Sequence, residues 1–260
     1  MHRASAASEA PATASARTTH GTVRDVLISE HESALTRYRR LTIADAGVGR
    51  FVLFEVATMF LLPMPGAAGL LLRRKLLRRF FGACGRNVVI GRNCVFRQPQ
   101  RIFLGDSVVI DDNCLLDARG CASEGMQIGD ETIVSRDCSI KSKAGGVRIG
   151  RRVNIGGGAH LVSHGGITIG DHAAIGAACQ INGGTFALED FAKPPTERTP
   201  VSNGPIEIGA GVWLATNVVV LDAVRIGEGS VVSAGSVVAQ AIEPHCVAQG
   251  NPAKKVFTIR

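Results

Sequence analysis

Aromatic residues are scarce in this chain of 260: ten Phe, one Trp and one Tyr, together 5% of the residues. A core filled by rings is thereby excluded, and a disordered chain is excluded by the 45% of hydrophobic residues. What remains is a core of small aliphatics and closely packed backbone, consistent with 31 glycines. The seven cysteines contain no CxxC pair, and so many free thiols suit a reducing compartment. Beyond residue 85 there is no basic stripe interleaved with aromatics. The formal charge of +7 is local, since residues 1 to 85 hold 12 Lys and Arg against 6 Asp and Glu, and the rest of the chain is near neutral. That distribution argues against a nucleic-acid groove.

An uninterrupted transmembrane stretch is also lacking. FVLFEVATMFLLPMPGAAGLLL, residues 51 to 72, is long enough to span, but Glu55, Pro63, Pro65 and Gly66 divide it into two short helical pieces. Cations at 73, 74, 75, 78 and 79 follow, interleaved with Leu76, Leu77, Phe80 and Phe81. This reads as an amphipathic interfacial segment, with packing onto the main domain as the alternative. The first twenty residues are Ala-, Ser- and Thr-rich without apolar period and lack the apolar core of a signal peptide, which predicts a disordered tail. The domain reading is a tail over 1–20, a helical, partly apolar and basic membrane-proximal segment over 21–83, and a repeat domain over 84–260 with an excursion loop over 182–207 and a C-terminal tail over 239–260.

From Cys84 onward the chain repeats. With the aliphatic residue before each glycine as position one, seven sets of three can be threaded: 84/90/96, 104/110/116, 128/134/140, 149/155/161, 169/175/181, 208/214/220 and 226/232/238. The spacing inside each set is six, and the second position of every set is glycine, from Gly85 and Gly105 to Gly209 and Gly227. A helix cannot produce a six-residue period. Each hexapeptide reads as a short strand and a corner, three to a coil, with glycine supplying close backbone approach or a positive φ. Seven coils stacked at about 4.8 Å give a prism roughly 33 Å tall. Four thiols, Cys94, Cys114, Cys138 and Cys179, occupy one column of this register with Ala159, Val218 and Ser236. Such a ladder of small inward side chains does not converge on a metal ion.

The repeat resembles that of the hexapeptide-repeat acyltransferases over residues 84 to 260. Its most specific part is IEIGAGVWLATNVVVLDAVRIGEGSVVSAGSVV followed by AQGNPAKKV, similar to the end of the sugar, serine and xenobiotic O-acetyltransferases. MPGAAGLLLRRKLLRRFFGACGRNVVIG is similar to the leader of a subgroup that acetylates exopolysaccharide or lipopolysaccharide. The resemblance implies an all-β, left-handed parallel β-helix of about seven coils with an N-terminal helical extension. It further implies a homotrimer with acetyl-CoA or another acyl-CoA as co-substrate in a cleft between prisms, and no metal. The implied chemistry is acyl transfer to a hydroxyl of a saccharide or other small acceptor. With the free thiols and the amphipathic segment over 51–81, the expected location is cytoplasmic, peripheral on the inner face of the cytoplasmic membrane. Carried over position by position, Trp213 lines the cleft, Thr216 meets the thioester arm, the Ala234 backbone meets the pantetheine and Lys254 lies near the nucleotide phosphates, where a cation suits the charge.

Insertions between coils all leave from one corner, and the longest, residues 182–207, is where the resemblance places the histidine base. This loop reads NGGTFALEDFAKPPTERTPVSNGPIE and contains no histidine, with Phe186 at the expected position. Gln240 is a second departure, standing where many relatives carry a phosphate-binding Lys. A general base supplies about 10²- to 10⁴-fold in rate, and a phenyl ring cannot accept a proton. Replacement bases are His164 and His160, in HLVSHGG one coil from the loop, with Glu189 and Asp190 in the loop as further carboxylates. The rival reading is a catalytically silent scaffold that binds a ligand or partner through the cleft. A metal site of His160, His164 and His172, as in carbonic anhydrases of the same prism shape, would need convergence across a trimer interface that their spacing does not show.

Overall fold

The computed structural model describes residues 33–44, 47–121, 123–187 and 192–259. The tail predicted over 1–20, with Glu189 and Asp190, lies outside them.

From Ala83 the chain winds through three parallel sheets, each receiving one strand per coil. On the first face Cys84, Leu104, Ile128, Ile149, Ile169, Ile208 and Ile226 stack in register. On the second, Ile90, Ile110, Val134, Ile155, Ile175, Leu214 and Val232 do so. The third carries Phe96, Leu116, Ile140, Leu161, Ile181, Val220 and Val238. The seven coils read from the six-residue spacing are therefore present residue for residue, as a left-handed parallel β-helix. Cys84 apart, every one of these residues is buried, each worth roughly 2 kcal/mol of apolar transfer.

The glycine at position two is required by close approach and not by its dihedral. A Cβ on Gly85 would stand 2.5 Å from the Gly105 carbonyl carbon, and one on Gly129 2.7 Å from that of Gly150, each in the next coil. The left-handed residue of the corner falls two positions later. It is Asn87, Ser107, Glu131, Arg152 and His172 in the first five coils, with φ between 54° and 60°, and glycine only at 211 and 229. Carboxylates then tie coil to coil, since Asp106 Oδ1 accepts from Arg86 N–H at 2.7 Å and Asp171 Oδ1 from Arg151 N–H at 2.8 Å.

The thiol column is buried throughout. Each of its cysteines donates to a turn carbonyl one coil on: Cys94 to Asp111, Cys114 to Ser135, Cys138 to Gly156 and Cys179 to Ala215, at 3.1–3.2 Å. Burial pushes the Cys94 thiol up to about 11 and raises that of Cys179. In the column the thiols are packing groups with a polar duty, and the hydrogen bond with Cys114 lowers the pKa of Cys138.

Three helices close the N-terminal end: α1 (Ala34–Ile43), α2 (Val48–Leu61) and α3 (Gly66–Leu76). The break between α2 and α3 falls at the predicted Pro63, Pro65 and Gly66. The rings missing from the prism are gathered here: Phe54 meets Phe80 edge-on at 5.1 Å, and Phe81 meets Phe96 at 5.0 Å. The first coil exposes an unpaired strand edge, and helix ends cover it. Asn93 N–H donates to Leu62 O and Gln98 N–H to Thr42 O. Arg73, 3% exposed, joins the layers, its Nε donating to Ile90 O at 2.8 Å and its Nη1 to Leu61 O at 3.1 Å and Met64 O at 2.6 Å.

At the other end the residues expected as a tail over 239–260 instead continue the repeat past the seventh coil, because their backbone pairs with the open edge of the last strands. Ile242 bridges to Ile226, and Ala248, six residues on, pairs with Val232. The strand Cys246–Gly250 then turns back as an antiparallel hairpin with Ala253–Thr258, giving the second face its last rung.

Candidate functional site

The long excursion leaves the third face after the strand Gln180–Asn182, and Gly183 and Gly184 turn the chain outward, Gly184 with φ 126°. Thr185–Phe186 then pairs antiparallel with Pro200–Val201, forming a two-stranded ribbon that stands off the prism. Its returning limb is fixed to the corner of the sixth coil by Asp222, which accepts from Ser202 Oγ–H at 2.8 Å and Asn203 N–H at 2.7 Å. Phe186 faces outward on this ribbon, 43% exposed. Its ring, at the position where the resemblance places the base, offers no proton acceptor.

His164 lies at the root of the same ribbon. It follows the strand His160–Ser163, its backbone N–H donates to Gly183 O at 3.1 Å, and its imidazole is half-buried against Gly184. The ring Nδ1 sits 3.2 Å from Gly183 O. A carbonyl can only accept, so this bond requires the hydrogen on Nδ1, and in the neutral ring Nε2 is then the lone-pair acceptor. That is the tautomer a general base needs. His160, on the outward side of the third face in register with Ser139 and Gln180, is exposed, and its Nδ1 lies 2.6 Å from Ser139 Oγ. Both histidines lie on a different face from Trp213.

Trp213 stands on the outward side of the second face, 54% exposed, in register between Ala174 and Val231. Thr216 and Ala234 occupy the same turn of consecutive coils, at the corner between second and third faces, and both are exposed. Their turns are coupled by the Gly235 N–H bond to Thr216 O at 3.0 Å. Lys254 lies on the terminal hairpin opposite Gln249, exposed, three strands from Trp213 along the same face, or about 14 Å at the usual spacing. The last coils therefore bring the four proposed cofactor-contact residues to one face and its following corner. The two histidines are not brought into that group within a single chain.

Sequence reasoning missed Asp222, Ser139 and Arg73. Each acts across coils or layers, at separations of 20, 21 and 17 residues that no local pattern encodes. Among the described residues no three His, Cys, Asp or Glu side chains gather in a metal-binding group. A cavity of about 430 Å³ lies at the N-terminal end among Arg74, Arg78, Arg86, Asn87 and Asp106. It is five strands from Trp213, so it belongs to the cap and not to the candidate site.

The model for bacterial transferase hexapeptide repeats (six repeats) matches residues 205–240, the stretch that carries Trp213, Thr216 and Ala234. A Staphylococcus aureus (strain COL) protein provisionally named an acetyltransferase is 55% identical over 56 residues, 22% of this chain and 28% of that protein. A Schizosaccharomyces pombe protein with the same provisional name is 40% identical over 94 residues, 36% of this chain and 44% of that one. The chain thus spans less than half the length of these curated relatives. Among solved structures, a point mutant of an N-acyltransferase from Bacillus cereus, in complex with dTDP and coenzyme A, superposes with a TM-score of 0.51 at 21% identity. The match covers 72% of this chain and 90% of that one, a likeness of fold.

Proposed function

We propose that this hexapeptide-repeat protein is an acyl-CoA-dependent O-acyltransferase, acetyl being the expected group, acting on a hydroxyl of a saccharide or other small acceptor. The observation that carries the reading is the grouping of Trp213, Thr216, Ala234 and Lys254 on the last coils, the first three of them inside the segment matched by the transferase repeat. The provisional names of the two sequence relatives support it. The ring of Trp213 gives the pantetheine arm an apolar wall, the exposed turns at Thr216 and Ala234 offer backbone groups, and Lys254 supplies a cation for phosphate.

In the reaction the acceptor oxygen attacks the thioester carbonyl while a base removes its proton. The new C–O bond forms, the C–S bond breaks, and the sulfur leaves as the thiol of CoA after protonation. His164 is the proposed base, because Gly183 O fixes its Nδ1–H and leaves Nε2 free to accept. His160 is the second candidate. Because the histidines and Trp213 stand on different faces, the reading calls for a homotrimer in which the third face of one prism meets the second face of its neighbour. Acceptor class rests on the resemblance of the leader and C-terminal segments, whereas a place at the inner face of the cytoplasmic membrane rests on the apolar and basic residues 51–81.

Release of free CoA from acetyl-CoA should be followed with a panel of saccharide acceptors. The reading expects acceptor-dependent release that falls about 100-fold or more in His164→Ala, and activity equal or higher in Phe186→His. Acyl-CoA binding without turnover on any acceptor supports the silent scaffold instead. A loss equal to background in His160→Ala, with His164→Ala unaffected, moves the base to His160.

A further inference from the structure

We infer that the helical cap is a docking surface for an anionic lipid bilayer, with the outward arc of α2 inserted between headgroups and the cations of the last turn of α3 and of the turn Leu77–Arg79 that follows it paired with lipid phosphate. The inference deepens the membrane placement offered above and is independent of acyl transfer. Its first support is the composition of the arc. Val52, Leu53, Val56, Met59 and Phe60 are 48–70% exposed, and at about 100° per residue they share one side of α2 while Phe51, Phe54 and Leu61 bury the other. A water-facing helix side made of large apolar residues is the inverse of ordinary surface chemistry. Leu71 and Leu72 extend the apolar surface across the Pro63 to Pro65 turn onto α3.

Charge identifies the occupant. Residues 48 to 79 contain six cations and one acid, Glu55, and Glu55 is held by Tyr38 Oη–H at 3.2 Å. Lys75, Arg78 and Arg79 make no ion pair among the described residues, whereas Arg73 is consumed in the fold. Arg74 and Arg78 also line the cavity at the base of the first coil, where Arg74 reaches Asn87 Oδ1 at 2.7 Å. An apolar arc followed by a cluster of cations fits headgroup phosphate above acyl chain. A second copy of the same cap would place cluster against cluster. With its 14 residues, α2 is about 21 Å long against about 30 Å of hydrocarbon. No helix among the described residues is long and apolar enough to cross. The geometry is that of a helix lying in the interface.

Full-length protein should be sedimented with vesicles of phosphatidylcholine alone and of phosphatidylcholine with about 30% phosphatidylglycerol, chosen as a generic anionic surface at roughly −30 mV or beyond. Binding to the anionic vesicles only, weakened by salt, is expected. Lys75→Gln with Arg79→Gln should lower partitioning about 30-fold, from roughly 1 kcal/mol per cation. Leu53→Ser with Phe60→Ser, both on the exposed side of α2, should abolish it, while the acetyl-CoA affinity of both variants stays unchanged. Equal partitioning of the apolar variant and the parent overturns the inference. So does absence of binding to anionic vesicles, and so does an oligomer that the apolar variant dissociates while vesicles remain unbound, which would assign the face to a second copy. Because acyl-CoA affinity is read in the same samples, failure of the membrane claim and failure of the transferase reading are told apart.

Discussion

The prism and its cap solve the burial problem by opposite means. In the prism one rule, an aliphatic residue every sixth position followed by a glycine that the next coil presses against, is applied seven times, and each coil depends only on its neighbours. In the cap nothing repeats. Rings interlock, helix-end carbonyls cover a strand edge, and one buried guanidinium ties α2, the α2–α3 turn and the first coil together. The difference teaches where function can reside. A rule-built body leaves its outward positions free, so Trp213, Thr216 and Lys254 can be placed on it without structural cost, whereas the cap spends its residues on closure and leaves one apolar side uncovered.

That contrast is broken most severely by Gly170→Val, whose Cβ would lie 2.8 Å from Ala210 Cα in the next coil. A loss of about 3 kcal/mol is expected in denaturant unfolding, with the whole prism affected. Arg73→Ala should cost about 2 kcal/mol, because three carbonyls lose a charged donor in a buried site. Its effect should be confined to the cap, seen as faster proteolysis between α2 and α3 while the prism keeps its circular dichroism. Cys138→Ala removes a stacked thiol and its bond to Gly156 O, for a loss of about 1 kcal/mol.

Two smaller effects sharpen the comparison through titration. With Cys94 near 11, only about 0.1% of it is thiolate at about pH 8. Native protein should therefore leave Cys94 unlabelled by an alkylating reagent that modifies all seven cysteines after unfolding. The corner carboxylates give a modest acid dependence. Backbone N–H donation from Arg92 holds Asp112 below the ordinary carboxylate range, and that from Arg151 does the same for Asp171. A depressed folded pKa contributes stability above the unfolded value of about 3.9 that is lost as pH falls through the folded one. The melting temperature should drop below about pH 4, less steeply in Asp171→Asn.

How legible each region was follows from the same contrast. The prism was read to the residue because its information is periodic: Ile149 pairs with Ile169 and Ile128, as spacing alone requires. The spacing allows glycine two roles, and the structure selects close approach, because the left-handed turn position lies two residues later and tolerates Asn87 or His172. The rung at Ile242 and Ala248 went unread, because no glycine follows Ile242 to mark its start. In the cap, Pro63 and Pro65 announced the helix break, but Arg73 looked like any of the cations clustered around it, and only packing distinguishes it. For the site, Trp213 was legible by motif, Phe186 by what it replaces, and Asp222 not at all.

The central claim is that the last coils bind acyl-CoA, and the chain carries its own reporter, because Trp213 is the only tryptophan. Titration of acetyl-CoA into the full-length protein should change Trp213 emission saturably, and Lys254→Ala should weaken the apparent affinity about tenfold by loss of a charge-assisted contact. A flat emission trace together with no heat of mixing at millimolar acetyl-CoA would contradict it.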